Sequence, residues 1–339
     1  MKVIRIHGPG DLQLHHEPDP VPGAGETLVT VGAVAICGSD LHWFSEGSIG
    51  GEGLEQPLIL GHEFSGVITD GEGHPVRVAV DPAIPCEECR HCREGQPNLC
   101  QQQRFAGHGH DDGALREQLV WPDQCLHPLP DSFDIVDGAL LEPLGIALHA
   151  ADLGDIKPGM RVGVFGCGPI GLLLVQLAQL SGATQVIATD LLPHRLVAAR
   201  AFGATQVFQV DEGGEYRNIW AATGQEGVDV AFEVAGAEAA VETAIASAAP
   251  GATVVLVGIP ADERTSFHAA TARRKGLTIK LCRRMKHTYP RAIRLVETGL
   301  IDVRSLVTHH FPMDEYEQAF AIASRREGLK IVIEPTPST

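Results

Sequence analysis

The stretch Arg161-Val162-Gly163-Val164-Phe165, running straight into Gly166-Cys167-Gly168-Pro169-Ile170-Gly171, decides the fold. An apolar run of strand character meets a G-x-G-x-x-G. Beyond it Ile170, Leu173, Leu174, Leu177 and Leu180 recur at helical spacing, which predicts a helix over 170–180. The next apolar run, 185–189, ends at Asp190, 19 residues past the third glycine. Glycines so placed let the backbone approach a pyrophosphate at the positive end of a helix, and the acid is positioned to accept ribose hydroxyls of an adenosine. Among 38 glycines such a motif alone is weak, and a tight turn beside a solvated Asp is the competing reading. The preceding strand and the following acid are what raise it. An acid at 190 repels a 2′-phosphate and favours NAD over NADP; Arg195, five residues on, is a second candidate beside the ribose. Val257 and Ile259 complete the cofactor-binding candidates.

Working outward, apolar runs at 161–165, 185–189, 206–209, 228–234, 253–257 and 278–280 alternate with helical stretches. That alternation predicts six parallel strands covered on both faces. Before residue 150 the pattern is different: 27–31, 66–69 and 76–80 alternate with period two, as half-buried antiparallel strands do. After 284 come helices near 290–297 and 314–324 and a last strand at 330–333, so the tail is expected to fold back onto the first domain. Pro143 and Pro158 punctuate the junction.

The chain has 339 residues, 44% of them apolar and 20% charged, with a formal net charge of −17. This is a globular composition for about two domains. So acidic a surface disfavours nucleic acid and anionic lipid as partners. No apolar run is long enough for a membrane span. The first residues, Met1 to Gly8, lack the apolar core of a signal peptide and read as a strand, so a cytoplasmic location is expected. Four of the eight cysteines crowd together as Cys86-x2-Cys89-x2-Cys92-x7-Cys100, the distribution of metal ligands. Four thiolates on one loop can enclose a zinc ion and leave no open position, which makes that zinc structural. The last gap is too long for a ferredoxin-type cluster. Cys37, His62, Glu63 and Glu142 are competent ligands for a second zinc, but spacing alone does not join segments so far apart.

Taken together, Cys37-x-Ser39-x-x-His42, Gly61-His62-Glu63, the four-cysteine loop, Leu141-Glu142-Pro143 and the glycine run resemble, in order and almost end to end, the zinc-dependent medium-chain dehydrogenases. The resemblance implies an α/β protein: a GroES-like β-barrel catalytic domain, residues 1–147 and 284–339, with the structural zinc loop at 86–100. Beside it a Rossmann domain, residues 148–283, would carry a doubly wound six-stranded sheet, with the active site between the domains. Glu142 stands where alcohol dehydrogenases of the family have a third cysteine ligand, which is similar to the polyol (sorbitol-type) branch, as are Asp111-Asp112-Gly113 and Thr288-Tyr289-Pro290.

Carried over, Cys37 and His62 hold the catalytic zinc with Glu63 or Glu142 as third ligand. Ser39 and His42 match the proton-relay positions, His42 alternatively serving as simple support. The implied reaction is oxidation of a secondary alcohol of a polyol or sugar derivative to a ketone, with hydride transfer to NAD. Threonine or simple alcohol oxidation, or a non-catalytic cofactor-binding protein on the same fold, are the alternatives. Trp43 and Phe105 are expected as apolar walls. Arg284-Met285-Lys286-His287 is more basic than the sorbitol-type pattern, so Arg284 and Lys286 are candidates for an anionic substrate such as a sugar acid or sugar phosphate. A homodimer or homotetramer is expected, built on an edge strand such as 253–257 or 278–280.

Overall fold

A computed structural model describes residues 1–49, 51–210, 215–260 and 264–336. Two compact units are present: Met1–Pro143 with Lys286–Thr339, and Leu144–Met285. Among the described residues no helix is long and apolar enough to cross a membrane.

In the first unit the long strand Glu26–Ala35 is the hub. It pairs antiparallel with Glu63–Thr69, with Gln118–Pro122 and with the returning tail strand Lys330–Glu334. The register sets Ala35 opposite Glu63 and also opposite Val332. The tail therefore does return to the sheet that carries the ligand candidates. Over 27–31 the expected alternation is present, with Val29 and Val31 buried and Leu28 and Thr30 half-buried, while 31–36 and 58–66, where no alternation was expected, are buried without a break. Both faces of this part of the sheet are covered, partly by the helix Ile135–Ala139, whose Ile135 carbonyl accepts a hydrogen bond from Ser65. Val29, Val31, Phe64, Val78, Val80 and Trp121 form its core.

The second unit is one parallel sheet of six strands in the spatial order Gln206–Gln209, Gln185–Asp190, Arg161–Phe165, Val228–Glu233, Ala248–Leu256, Thr278–Leu281. Numbered along the chain this order is 3-2-1-4-5-6, a doubly wound sheet whose order reverses between Arg161–Phe165 and Val228–Glu233. The helix Pro169–Leu180 buries Leu172, Leu173, Leu174, Val175 and Leu177, each worth on the order of 1.5–3 kcal/mol. Leu180, predicted on the buried face, is exposed at the helix end, and Leu172 and Val175 are buried in addition. Of the two strands expected at an edge, only Thr278–Leu281 is outermost; Ala248–Leu256 is paired on both sides.

Candidate active site and metal centres

The returning turn after Glu26–Ala35 places Cys37 as the N-cap of the helix Gly38–Glu46. Asp40, in the first turn, is buried and reaches back: one carboxylate oxygen accepts the Cys37 N–H at 2.9 Å. Its other oxygen accepts the Gly61 N–H at 3.2 Å and lies 3.5 Å from His62 Nδ1. Gly61 adopts φ +94°, and a Cβ there would stand 2.7 Å from a Val34 methyl, so this turn requires glycine. Asp40 thus fixes both His62 and the loop that delivers it. With Nδ1 facing the acid, Nε2 is the ring nitrogen turned toward Ser39, whose Oγ is 3.3 Å away. The result is a carboxylate–histidine pair of the kind that orients metal ligands.

Cys37, His62 and Glu63 converge, with one donor atom of each within 4.8 Å of the others. Burial alone would lower the His62 pKa, but the neighbouring Asp40 and Cys37 outweigh it and raise it. Glu63 is buried in contact with Lys330, whose Nζ donates to Oε1 at 2.8 Å and lies 2.6 Å from Oε2. Both carboxylate oxygens thus sit beside the ammonium, and the group remains an anionic oxygen donor next to Cys37 and His62. A sulfur, an imidazole nitrogen and a carboxylate oxygen gathered in one buried place suit zinc. Glu142 is not one of this group. It lies buried in the first turn of the helix Leu141–Gly154, where burial pushes its carboxyl up to about 8, with His62 opposing and Glu63 adding to the shift.

The Phe105 ring centroid is 5.4 Å from that of His62. Trp43, expected as an apolar wall, is buried with its ring edge-on to His108 at 5.9 Å. His42 lies on the same helix with Nδ1 3.1 Å from Glu46 Oε1. Arg284 adopts φ +49° and is half-buried, while Lys286 is exposed. Two residues of the centre escaped the sequence reading, Asp40 and Lys330. For Asp40 the signal was an acid three residues after a helix-opening cysteine, the spacing of a capping box. For Lys330 it was a lone cation opening the apolar run Ile331-Val332-Ile333.

Cys86, Cys89, Cys92 and Cys100 also converge, all sulfurs lying within 4.8 Å of one another. Tetrahedral zinc with Zn–S of about 2.3 Å requires sulfurs about 3.8 Å apart, and Cys89 Sγ lies 3.5 Å from Cys92 Sγ. The Cys89 N–H donates to Cys86 Sγ at 3.3 Å and helps bring that thiol down to about 7. Burial and the neighbouring cysteines push Cys92 up to about 12. Four thiols so crowded ionise together only around a cation, and the donor set fits a closed zinc site.

In the second unit Gly168 caps the helix Pro169–Leu180. A Cβ on Gly168 would meet nothing nearer than Arg195 Nη1 at 3.9 Å, whereas a Cβ on Gly171 would sit on the Gly166 carbonyl oxygen. The middle glycine therefore leaves an open cradle at a helix N-terminus, and the third one permits close helix–strand packing. Pro169 and Ile170 are half-buried in the first turn. Asp190 ends its strand and accepts the N–H groups of Cys167 at 2.7 Å and Leu192 at 2.8 Å, tying the acid to the glycine loop. Arg195 reaches Gly168, on the pyrophosphate side of the motif. Val257 donates to the Glu233 carbonyl at 2.8 Å, and Ile259 is exposed. The buried Glu233 carboxylate accepts Ala235 and Gly236 N–H groups, each at 2.8 Å, and so fixes the neighbouring turn. The residues present fit a dinucleotide.

Comparison with known proteins agrees with this geometry. Residues 23–131 match the alcohol dehydrogenase GroES-like domain and residues 169–298 the zinc-binding dehydrogenase domain. Sorbitol dehydrogenase of Bacillus subtilis is 34% identical over 99% of this chain and 97% of its own length. An Escherichia coli alcohol dehydrogenase solved with NADH superposes with a TM-score of 0.90 at 28% identity, covering 98% of this chain and 99% of that one. Galactitol-1-phosphate dehydrogenase from Escherichia coli gives a TM-score of 0.89 at 28% identity, covering 99% of this chain and 100% of the other. The chain belongs to the zinc-binding medium-chain dehydrogenases, with a GroES-like unit and a Rossmann sheet in one polypeptide.

Proposed function

We propose that this protein oxidises a secondary alcohol of a polyol or sugar derivative to the ketone, using a zinc ion held by Cys37, His62 and Glu63 and NAD held at the glycine loop. The observation that carries the proposal is the convergence of a Cys, a His and a Glu, with a second buried acid, Glu142, near enough to feel their charge. The similarity to a sorbitol dehydrogenase and a galactitol-1-phosphate dehydrogenase supports the polyol class.

When bound, zinc supplies Lewis acidity that lowers the pKa of a hydroxyl, and NAD supplies the hydride acceptor. The protein's own groups do the rest. Asp40 holds the His62 ring in one orientation, leaving Nε2 for the metal. Ser39, beside that nitrogen, is the first group placed to take up a released proton, and His42, one turn further along the helix, the next. Phe105, its ring tilted against that of His62, supplies an apolar wall beside it. Glu142, with its carboxyl at about 8, holds or releases a proton near neutral pH. Asp190 selects against a 2′-phosphate, with the cofactor domain spanning 148–283.

Arg284 and Lys286 offer cationic contacts for a carboxylate or phosphate on the substrate. Trp43, packed edge-on against His108, supplies an apolar wall together with Phe105. The same proposal includes a homodimer or homotetramer, with Thr278–Leu281 as a sheet edge to build on, and a cytoplasmic setting in which none of the eight cysteines enters a disulfide.

The test is NADH formation across hexitols, pentitols, aldonates, polyol phosphates, threonine and short alcohols. Turnover confined to polyols and their acids or phosphates is expected. Turnover of threonine or short alcohols with none on polyols would refute the assignment.

A further inference from the structure

We propose that Lys330 is a positioning residue of the metal centre, which shares the Glu63 carboxylate with the metal and so keeps that metal exchangeable. The inference rests on the zinc assignment made above. Lys330 opens the returning strand Lys330–Glu334, where Ile331, Val332 and Ile333 are all buried. Lys330 is only 3% exposed, and its ammonium donates to Glu63 and to the Ile36 carbonyl, the latter at 3.1 Å. A buried Lys–Glu pair is a poor device for stability, since apolar residues of similar volume serve at least as well. Its placement suits a different purpose.

Glu63 is a member of the converging donor group, and Lys330 touches that ligand rather than any open space. Two cations, the ammonium and a dication, then face one carboxylate. Lys330 holds the carboxylate in a fixed orientation against the Ile36 carbonyl, while withdrawing part of the negative charge Glu63 would otherwise give the metal. The topology supports this role. The register that sets Ala35 opposite both Glu63 and Val332 brings the tail strand beside the ligand strand, so the return of the tail delivers a charge to the centre.

Removing the ammonium while leaving Glu63 should therefore tighten metal binding, the opposite of what loosening a merely structural contact would do. The experiment follows zinc release from the zinc-loaded full-length protein to a chromogenic chelator. Cys37→Ser identifies the kinetic phase that belongs to this centre, because that variant should lack it. In Lys330→Met the same phase should slow on the order of tenfold, and in Lys330→Arg it should keep nearly the wild-type rate. Should Lys330→Met fail to fold, Lys330→Gln reads the same phase, with Glu63→Gln/Lys330→Met as the charge-free reference that releases zinc faster than either. An unchanged or faster phase in the neutral single variants would overturn the role of Lys330. Identical phases in Cys37→Ser and wild type would instead overturn the zinc assignment beneath it.

Discussion

Asp40 accepts the Cys37 N–H with one oxygen and faces His62 Nδ1 with the other, so a single buried carboxylate orders two of the three ligands. Asp40→Asn keeps the size and one acceptor but loses the charge. Zinc affinity at this centre should fall by about 10–100-fold in a chelator competition, with thermal stability of the zinc-loaded protein little changed. A second prediction concerns His127, stacked on Tyr289 at 4.5 Å and lowered to about 4 by burial, with His287 adding. Its unfolded-state pKa is about 6.5. As pH falls from there toward 4, the unfolded chain gains a proton that the folded one refuses, and stability is lost across that window. His127→Phe keeps the stacked ring and should flatten this acid limb by on the order of 1–2 kcal/mol, read from denaturant midpoints at pH 7 and pH 5. At this scale the sequence was legible for ligands and gave only weak local signals for their supports. Cys37, His62 and Glu63 are recognisable by type, whereas Asp40 and Lys330 matter through contacts that only folding creates.

At the level of elements, the strand–loop–helix unit 161–180 was readable because each of its parts answers to a local rule. Its glycines also make a paired prediction. Gly171→Ala puts a methyl on the Gly166 carbonyl and should lower the melting temperature sharply. Gly168→Ala meets nothing closer than 3.9 Å, so the fold should persist while NADH binding, followed by fluorescence, weakens at least tenfold through loss of the cradle. Unchanged NADH binding in Gly168→Ala would mean that the open space at Gly168 plays no part in cofactor binding. The six strand positions were legible in the apolar runs, but not the length of Ala248–Leu256, whose first residues are Ala-Ala-Pro-Gly and carry no strand signal. Period two held over 27–31, whereas the unbroken burial of 58–66 has no local signal, because the covering helix lies some seventy residues away.

Across the whole molecule, the net charge of −17 coexists with a metal centre where one lysine is buried among acids, so the overall balance says little about the local field. The cysteine loop and the Cys37 centre are separate donor groups, and each should hold one zinc. They should also be distinguishable by what their loss does: emptying the loop should destabilise the fold, and emptying the Cys37 centre should abolish turnover. The cysteine loop was legible because its motif is local. The Cys37 centre, whose segments are far apart in the chain, was legible only through the resemblance of the whole motif order to a family. The choice of Glu63 over Glu142 in the converging group was not, since it depends on where two distant segments meet. The most direct test is NADH formation from a hexitol, followed while zinc is withdrawn stepwise by a chelator. Activity should vanish in step with the zinc that Cys37→Ser lacks and return when zinc is restored. Full activity after that zinc has gone would contradict a reaction at Cys37, His62 and Glu63.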